Sequence, residues 1–345
     1  MRNGIVVFVI LCVSLSCVEQ VDFQTPEGEN ILVVEGFITD APGPHTIRIS
    51  RSAQYGSIFD GNIQRLANAV VALRNSAGIN FSLTQTGPGE YSTDPSFQGI
   101  PGETYTLLIT TNIGQRYTSL PVTLPNGPDL EDVDFRFRSS PSGNELKSIT
   151  GVEVYARWTD PEGEDNFHMW RTEGIYQVET NPELFIDPNT GNPAPKACCN
   201  LCFVYEPDNT GAVFIHSDEN QDGRELAGLA AFIVDDGKRF NRDYTLRIQQ
   251  FSVSREAFGF LDLLGGQLEI DGDIFDAPPA QVTGNMVSLD DPSEAVIGFF
   301  GAYHISEMVV TIPSSIIAEP KPRVRVNDDC QVLPNATVAF PNPWN

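Results

Sequence analysis

The chain has 345 residues, 46 acidic and 21 basic, and a net charge of −25. That balance excludes a nucleic-acid binder, which needs a basic footprint to displace counterions from phosphates, and excludes attachment to anionic lipid through a basic patch. The length allows two ordinary domains, and 29 Gly and 25 Pro among short runs of Val, Ile, Thr and Phe point to strands and turns rather than helices.

Residues 1–16, MRNGIVVFVILCVSLS, join a positive start at Arg2 to an apolar run from Ile5 to Leu15. The run has signal-peptide length and falls short of the roughly 20 residues a spanning helix requires. Small Ser16 precedes Cys17, and this order resembles a bacterial lipoprotein signal, with cleavage before Cys17 and lipid on its thiol. Ser14 stands where such signals usually carry a large aliphatic residue; an ordinary cleaved secretory leader is the alternative. Residues 17–30 then read as a polar tether.

From residue 31 the pattern changes. NILVVEGFIT, HTIRISRSA, NAVVALRNSAG, INFSLTQTG, GEYSTD, ETYTLLITT and QRYTSLPVTLP follow at short intervals, each bounded by Gly, Pro or Asn. Short alternating runs with regular turn signals predict a β-sandwich over 31–125. The stretch from Ala67 to Ile109 resembles the immunoglobulin-like or transthyretin-like and carboxypeptidase-regulatory-like sandwiches, modules that are usually non-catalytic.

Residues 126–330 predict a second β-rich domain. SITGVEVYARWTDPEGEDNFHMWRTEGIYQVE reads as two long strands around a polar turn and resembles the early strands of a fibronectin-III-like sandwich. Residues 181–200 read as a long Pro- and Asn-rich insertion. SREAFGFLDLLGGQL predicts one helix over about 254–265: Ser254 caps it, Glu256 suits its first turn, and Ala257, Phe260, Leu261 and Leu264 share a face. Gly265-Gly266 is expected to end it. The fold class is therefore all-β, two sandwiches with one helix, followed by a tail over 331–345. Trp158, Trp170, Phe299, Phe300 and Tyr303 are candidates for a ligand surface, but strand positions favour core, above all for Trp158 and Phe299.

Four cysteines follow Cys17: Cys198, Cys199, Cys202 and Cys330. In an exported chain an even count implies two disulfides. A bond between adjacent Cys198 and Cys199 needs a strained ring, so the expected pairings are Cys198–Cys202 with Cys199–Cys330, or Cys198–Cys330 with Cys199–Cys202. Either would staple the tail to KACCNLC. A four-cysteine zinc site is the weaker reading, because only one C-x-x-C pair exists.

DENQDG, Asp218 to Gly223, matches the first half of a calcium loop through Asp218, Asn220 and Asp222. The twelfth position, where a bidentate Glu belongs, is Leu229, and a strand rather than a helix follows, so an exposed polar turn competes with calcium. No other cofactor is expected. EIDGDIFD offers Glu269, Asp271, Asp273 and Asp276, which read as a solvated loop. His45, His168, His216 and His304 lack metal-ligand spacing, and no nucleophile elbow, P-loop or dinucleotide fingerprint follows a suitable strand, so an enzyme is not expected.

The run DYTLRIQQFSVSREAFGFLDLL, then GDIFDAPPAQVTGNMVSLDDPSEAVIGFFGAYHISEMVVTI, resembles a Bacteroidota outer-membrane lipoprotein family of unknown function. Its members are commonly encoded beside TonB-dependent receptors. ILVVEGFITDAPGPHTIRISRSAQY fits the same family, and Pro278 to Asn285 and Gly298 to Ala302 are its most specific pieces. The resemblance implies an outer-membrane protein held by lipid on Cys17, with a TonB-dependent receptor as partner and a non-enzymatic accessory or ligand-capture role in uptake. A structural or adhesion lipoprotein is the alternative expectation, and a surface hydrolase a weaker one.

Overall fold

The computed structural model describes residues 31–52, 64–141, 148–207, 212–219, 221–268, 282 and 284–344. The first ten strands are β1 (Leu32–Thr39), β2 (Thr46–Arg51), β3 (Gln64–Arg65), β4 (Val70–Asn75), β5 (Asn80–Ser82), β6 (Thr84–Gly87), β7 (Glu90–Ser92), β8 (Thr104–Thr110), β9 (Arg116–Ser119) and β10 (Val122–Thr123). Then come β11 (Asp132–Pro141), β12 (Ser148–Thr159), β13 (Phe167–Glu179), β14 (Leu201–Glu206), β15 (Phe214–Ser217), β16 (Glu225–Val234), β17 (Tyr244–Val253), β18 (Met286–Ser288), β19 (Val296–Ile312) and β20 (Ala336–Thr337). One helix, α1 (Arg255–Leu268), separates β17 from β18.

The all-β expectation holds. One large sheet runs β20-β14-β13-β17-β19-β1-β2-β7-β6, with β15 on β13 and β3 on β2. Two smaller sheets, β18-β9-β8-β4-β5 with β10 on β8, and β11-β12-β16, complete the described strands.

Side-chain parity explains how the layers stack. Successive residues of a strand point to opposite faces. On β1, β13, β17 and β19 the even positions face the small sheets. Leu32, Val34, Phe300 and Ala302 enter one interior with Val71, Leu107 and Tyr117. Trp170, Tyr176, Ile248 and Ile312 enter the other with Val154, Trp158 and Ala231. The odd positions face the opposite way, where Met169, Phe251, Val253 and Tyr303 are covered by Ala257, Phe258 and Leu261 of α1.

The long strand β19 joins the two halves. Val296 to Tyr303 pair in parallel with Leu32 to Thr39 of β1, and His304 to Ile312 pair antiparallel with β17. Parallel pairing this close depends on Gly298, which lies opposite Val34: its φ is +109°, and a Cβ there would sit 1.9 Å from the Val34 carbonyl oxygen. The first sandwich therefore extends past residues 31–125: β18 pairs with β9, and the first half of β19 pairs with β1. The tail is also built in, with β20 on β14 and Trp344 Nε1 donating to Glu173.

The helix begins as expected, with Ser254 Oγ accepting the Ala257 N–H at 3.2 Å. It does not end at Gly265-Gly266 but runs on to Leu268. Glycine inside a helix costs only about 1 kcal/mol relative to Ala, and neither residue has the positive φ that ends a helix. Among the described residues no helix is long and apolar enough to cross a membrane.

Candidate functional site

Beneath α1 lies a groove of about 370 Å³ on the odd face of the large sheet. Val33, Phe37, Ile297 and Phe299 form its floor, Phe260, Leu261 and Leu264 its roof, and Met169 and Tyr303 its end. Glu35 and Arg171 supply charge at the rim, and the Arg171 guanidinium lies 4.9 Å from the centre of the Phe37 ring. Phe299 is half-buried and packs against Phe260 with tilted rings 5.1 Å apart, so it lines this groove instead of filling the core as expected. An odd strand position on the helix side explains that placement. Trp158, Trp170, Phe300 and Tyr303 are buried. Two larger hollows, of about 560 and 750 Å³, have more polar linings. The groove offers apolar burial with a cation and an anion at its edge, which suits a small apolar or aromatic ligand with a polar end.

On the opposite face, between the two interiors, four polar residues align across four strands: His216 opposes His168, His168 opposes Ser252, and Ser252 opposes His304. His304 Nδ1 donates to Asp40 Oδ2 at 2.6 Å, and Asp40 Oδ1 accepts the Ile305 N–H at 2.9 Å. The connection from the first sandwich to the second crosses this seam. Gln250 Nε2 donates to the Pro128 carbonyl at 3.1 Å, and a Cβ on Gly127 would strike Ser252 Oγ. His168 packs against Trp158 at 4.7 Å, and burial, helped by His216, pushes its pKa down to about 3. No local motif in the sequence marks this row, because each member comes from a different strand.

At the far end of the second sandwich two loops cross between sheets: 160–166 leads from β12 to β13, and 218–224 leads from β15 to β16. Asp218 and Asp222 of the calcium-like motif lie in the second loop; Asn220 lies outside the described residues. Asp222 is exposed and its Oδ1 accepts the Gly163 N–H at 2.7 Å. Asp218 is buried and faces Asp160, an acid that the sequence placed in an ordinary polar turn. Burial first, and the facing Asp160 carboxylate second, push the Asp218 pKa up to about 7. Arg255, the first residue of α1, bridges the loops from outside through Asp165 and Glu219.

The cysteines pair differently from expectation. Cys202 bonds to Cys330, with Cα atoms 5.7 Å apart, and the sulfurs of the neighbours Cys198 and Cys199 lie against each other. Strand parity accounts for the first bond: Cys202 and Val204 are the inward positions of β14, and Cys330 docks against that inner face. Cys198 and Cys199 precede the strand, and the Cys199 carbonyl receives the Cys330 N–H at 2.9 Å. The staple from tail to KACCNLC is formed, but by Cys202. Both sulfurs of the adjacent pair lie within 4.8 Å of an Asp329 carboxylate oxygen; with Cys202 and Cys330 bonded to each other, the four-cysteine zinc set is not assembled. Cys17, Glu269, Asp271, Asp273 and Asp276 lie outside the described residues.

The model of the family described as Domain of unknown function (DUF4249) matches residues 18–308, which hold β1 through most of β19 and therefore the whole junction between the two halves. The chain belongs to this family. No curated protein matches it. Within the DUF4249 match lie the groove, the polar row and both acidic loops; Cys330 and the tail lie beyond it.

Proposed function

We propose that the chain is a lipid-anchored outer-membrane protein that captures a ligand for a TonB-dependent uptake system, acting by binding and position rather than by catalysis. The observation that carries this reading is the groove beneath α1, a preformed concave surface with an apolar floor and roof and charges only at its rim. The leader supports it from the other side. Lipid on Cys17 would fix the protein to the membrane, and several acyl chains suffice for stable anchoring where one does not. The tether over 17–30 enters directly at β1, whose odd face is the groove floor, so anchor and groove belong to adjoining parts of the chain.

The test is purification of the cross-linked protein from native outer membranes. A large β-barrel receptor of the TonB-dependent class is the expected partner, and its reproducible absence overturns the proposal. A Leu261→Glu variant, which puts charge into the roof, is expected to keep the receptor and lose growth on the captured nutrient. An adhesion or envelope-integrity defect in place of a nutrient defect would assign the protein to the structural class.

A further inference from the structure

We propose that Asp160 and Asp218 form a divalent-cation site, of the all-oxygen kind suited to calcium, which staples together the two loops that cross between the sheets. The site rests on local geometry alone and stands or falls separately from the uptake reading.

Each of the two residues is 2% exposed. One buried carboxylate is costly, and two facing each other are costlier unless a proton or a cation lies between them. Three of the four carboxylate oxygens have donors. Asp218 Oδ1 accepts the Asn166 N–H at 2.7 Å, Asp160 Oδ1 accepts Asn166 Nδ2 at 3.3 Å, and Asp160 Oδ2 accepts the Gly223 N–H at 2.9 Å. Asp218 Oδ2 is buried with no hydrogen-bond partner. An acceptor-only oxygen left bare beside a second acid is the arrangement a cation resolves.

The loops are shaped around that pair. Backbone bonds hold it from both sides: the Asp160 N–H donates to the Arg224 carbonyl at 2.8 Å, and the Asp218 N–H to the Asn166 carbonyl at 3.2 Å. Gly163 and Gly223 have φ of +91° and +67°, the left-handed turns that bring the loops into contact. A Cβ on Gly223 would sit 2.7 Å from Glu162 Cγ, so a third acid lies over the junction. The loops carry seven carboxylates, Asp160, Glu162, Glu164, Asp165, Asp218, Glu219 and Asp222, and no His or Cys. The two facing carboxylates are oxygen donors only, which favours a hard cation over zinc or copper. Magnesium keeps most of its water and fits a buried acid pair less well.

The geometry also repairs the defect in the sequence motif. DENQDG lacks the acidic twelfth residue of a helix-loop-helix calcium site, since Leu229 stands there on β16. The missing carboxylate comes instead from Asp160 on the neighbouring crossover.

The experiment uses the full chain, stripped with chelator and melted at about pH 8 in chelator, in calcium or in magnesium. With calcium about a hundredfold above its Kd, the melting temperature should rise by about 5 °C, with a smaller rise in magnesium. Calorimetric titration with calcium chloride should give a saturable isotherm. Asp218→Asn and Asp160→Asn should each lose the shift and the heat. In chelator both should melt no lower than the parent, because the amide removes an unpaired buried charge. Absence of shift and heat in the parent overturns the site and leaves a shared proton between the acids. A shift retained by both variants overturns it too, placing calcium on exposed acids elsewhere. If one variant does not fold, the other and the parent titration decide.

Discussion

At the β1 end of the large sheet the interior is filled by Leu32, Val34, Ile47, Ile49, Leu73 and Leu107, and tyrosines close its margins: Tyr91 Oη reaches the Leu66 carbonyl and Tyr117 Oη reaches Glu294. At the β13 end, Trp158, Trp170, Tyr176 and Tyr244 share the interior with buried His168, Gln250 and Asp235. Both ends are a small sheet laid on the same face of one large sheet. The first is stabilised mainly by apolar area, which is non-directional and tolerates repacking, and its buried directed bonds, such as those of Asn285 to the Phe300 backbone and Ser119 to the Leu107 N–H, run to main chain. The second also depends on buried bonds between side chains, such as Trp170 with Gln250 and Asn166 with Asp160, and a buried polar group without its partner is costly. The paired acids belong to the second end, and the polar row borders it.

That contrast can be broken in four ways, taken from the largest expected effect downward. Phe300→Ala empties a fully buried site in the aliphatic interior and should cost about 4 kcal/mol in urea unfolding of the full chain; a cost below about 2 kcal/mol would mean that this interior collapses around the loss. Replacing Cys202 and Cys330 together by Ala opens a link between residues 128 apart in sequence and should cost about 3 to 4 kcal/mol. The same change at Cys198 and Cys199, which close almost no loop, should cost under about 1 kcal/mol, so thermal melts of the two double variants should differ clearly.

The third concerns pH. His168 stays neutral in the fold to about pH 3, while the unfolded chain takes up its proton near 6.5. Its contribution is therefore complete above pH 6.5 and is lost as pH falls toward 3. By pH 5 the loss should reach about 2 kcal/mol. His216, Asp160 and His304 act on the same ring, so the measurement is the slope of stability between pH 6.5 and 5. His168→Gln should flatten that slope, and an unchanged slope would remove His168 from the account. Fourth, Gln250→Ala strands the Trp170 indole N–H, now 3.0 Å from Gln250 Oε1, and should cost about 1 to 2 kcal/mol by denaturant titration. Gln250→Glu should not rescue the loss at neutral pH, because it buries a charge against the Pro128 carbonyl to which the amide now donates.

The same contrast governs what the sequence discloses. Alternation in LVVEGFIT and TYTLLIT is enough to identify β1 and β8 and to say which residues turn inward. Ser254 and the apolar spacing after it locate the helix start. Parity along LCFVYE places Cys202 beside Val204 on one face, a signal that the expected pairings, drawn from cysteine count and spacing, did not use. Directed contacts are another matter. Ser252 meets His168 and His304 only because β17 lies between β13 and β19, a neighbourhood set by topology. Asp160 and Asp165 look alike in DPEGEDN; the first is buried and the second exposed. Nothing local separates them, because burial depends on which crossover lies above. The parallel partnership of β1 with β19 is equally hidden, since each strand reads correctly on its own and neither announces the other.

The long strand β19 has a mechanical consequence. Its first half makes eight parallel pairs with β1, and its second half continues into the other interior. A pull applied at the amino terminus and resisted at the far half is directed along both strands in opposite senses. It loads those backbone bonds together, in shear, instead of peeling them apart one at a time. A molecule held at β1 and tugged from the far half would resist along the whole length of that seam.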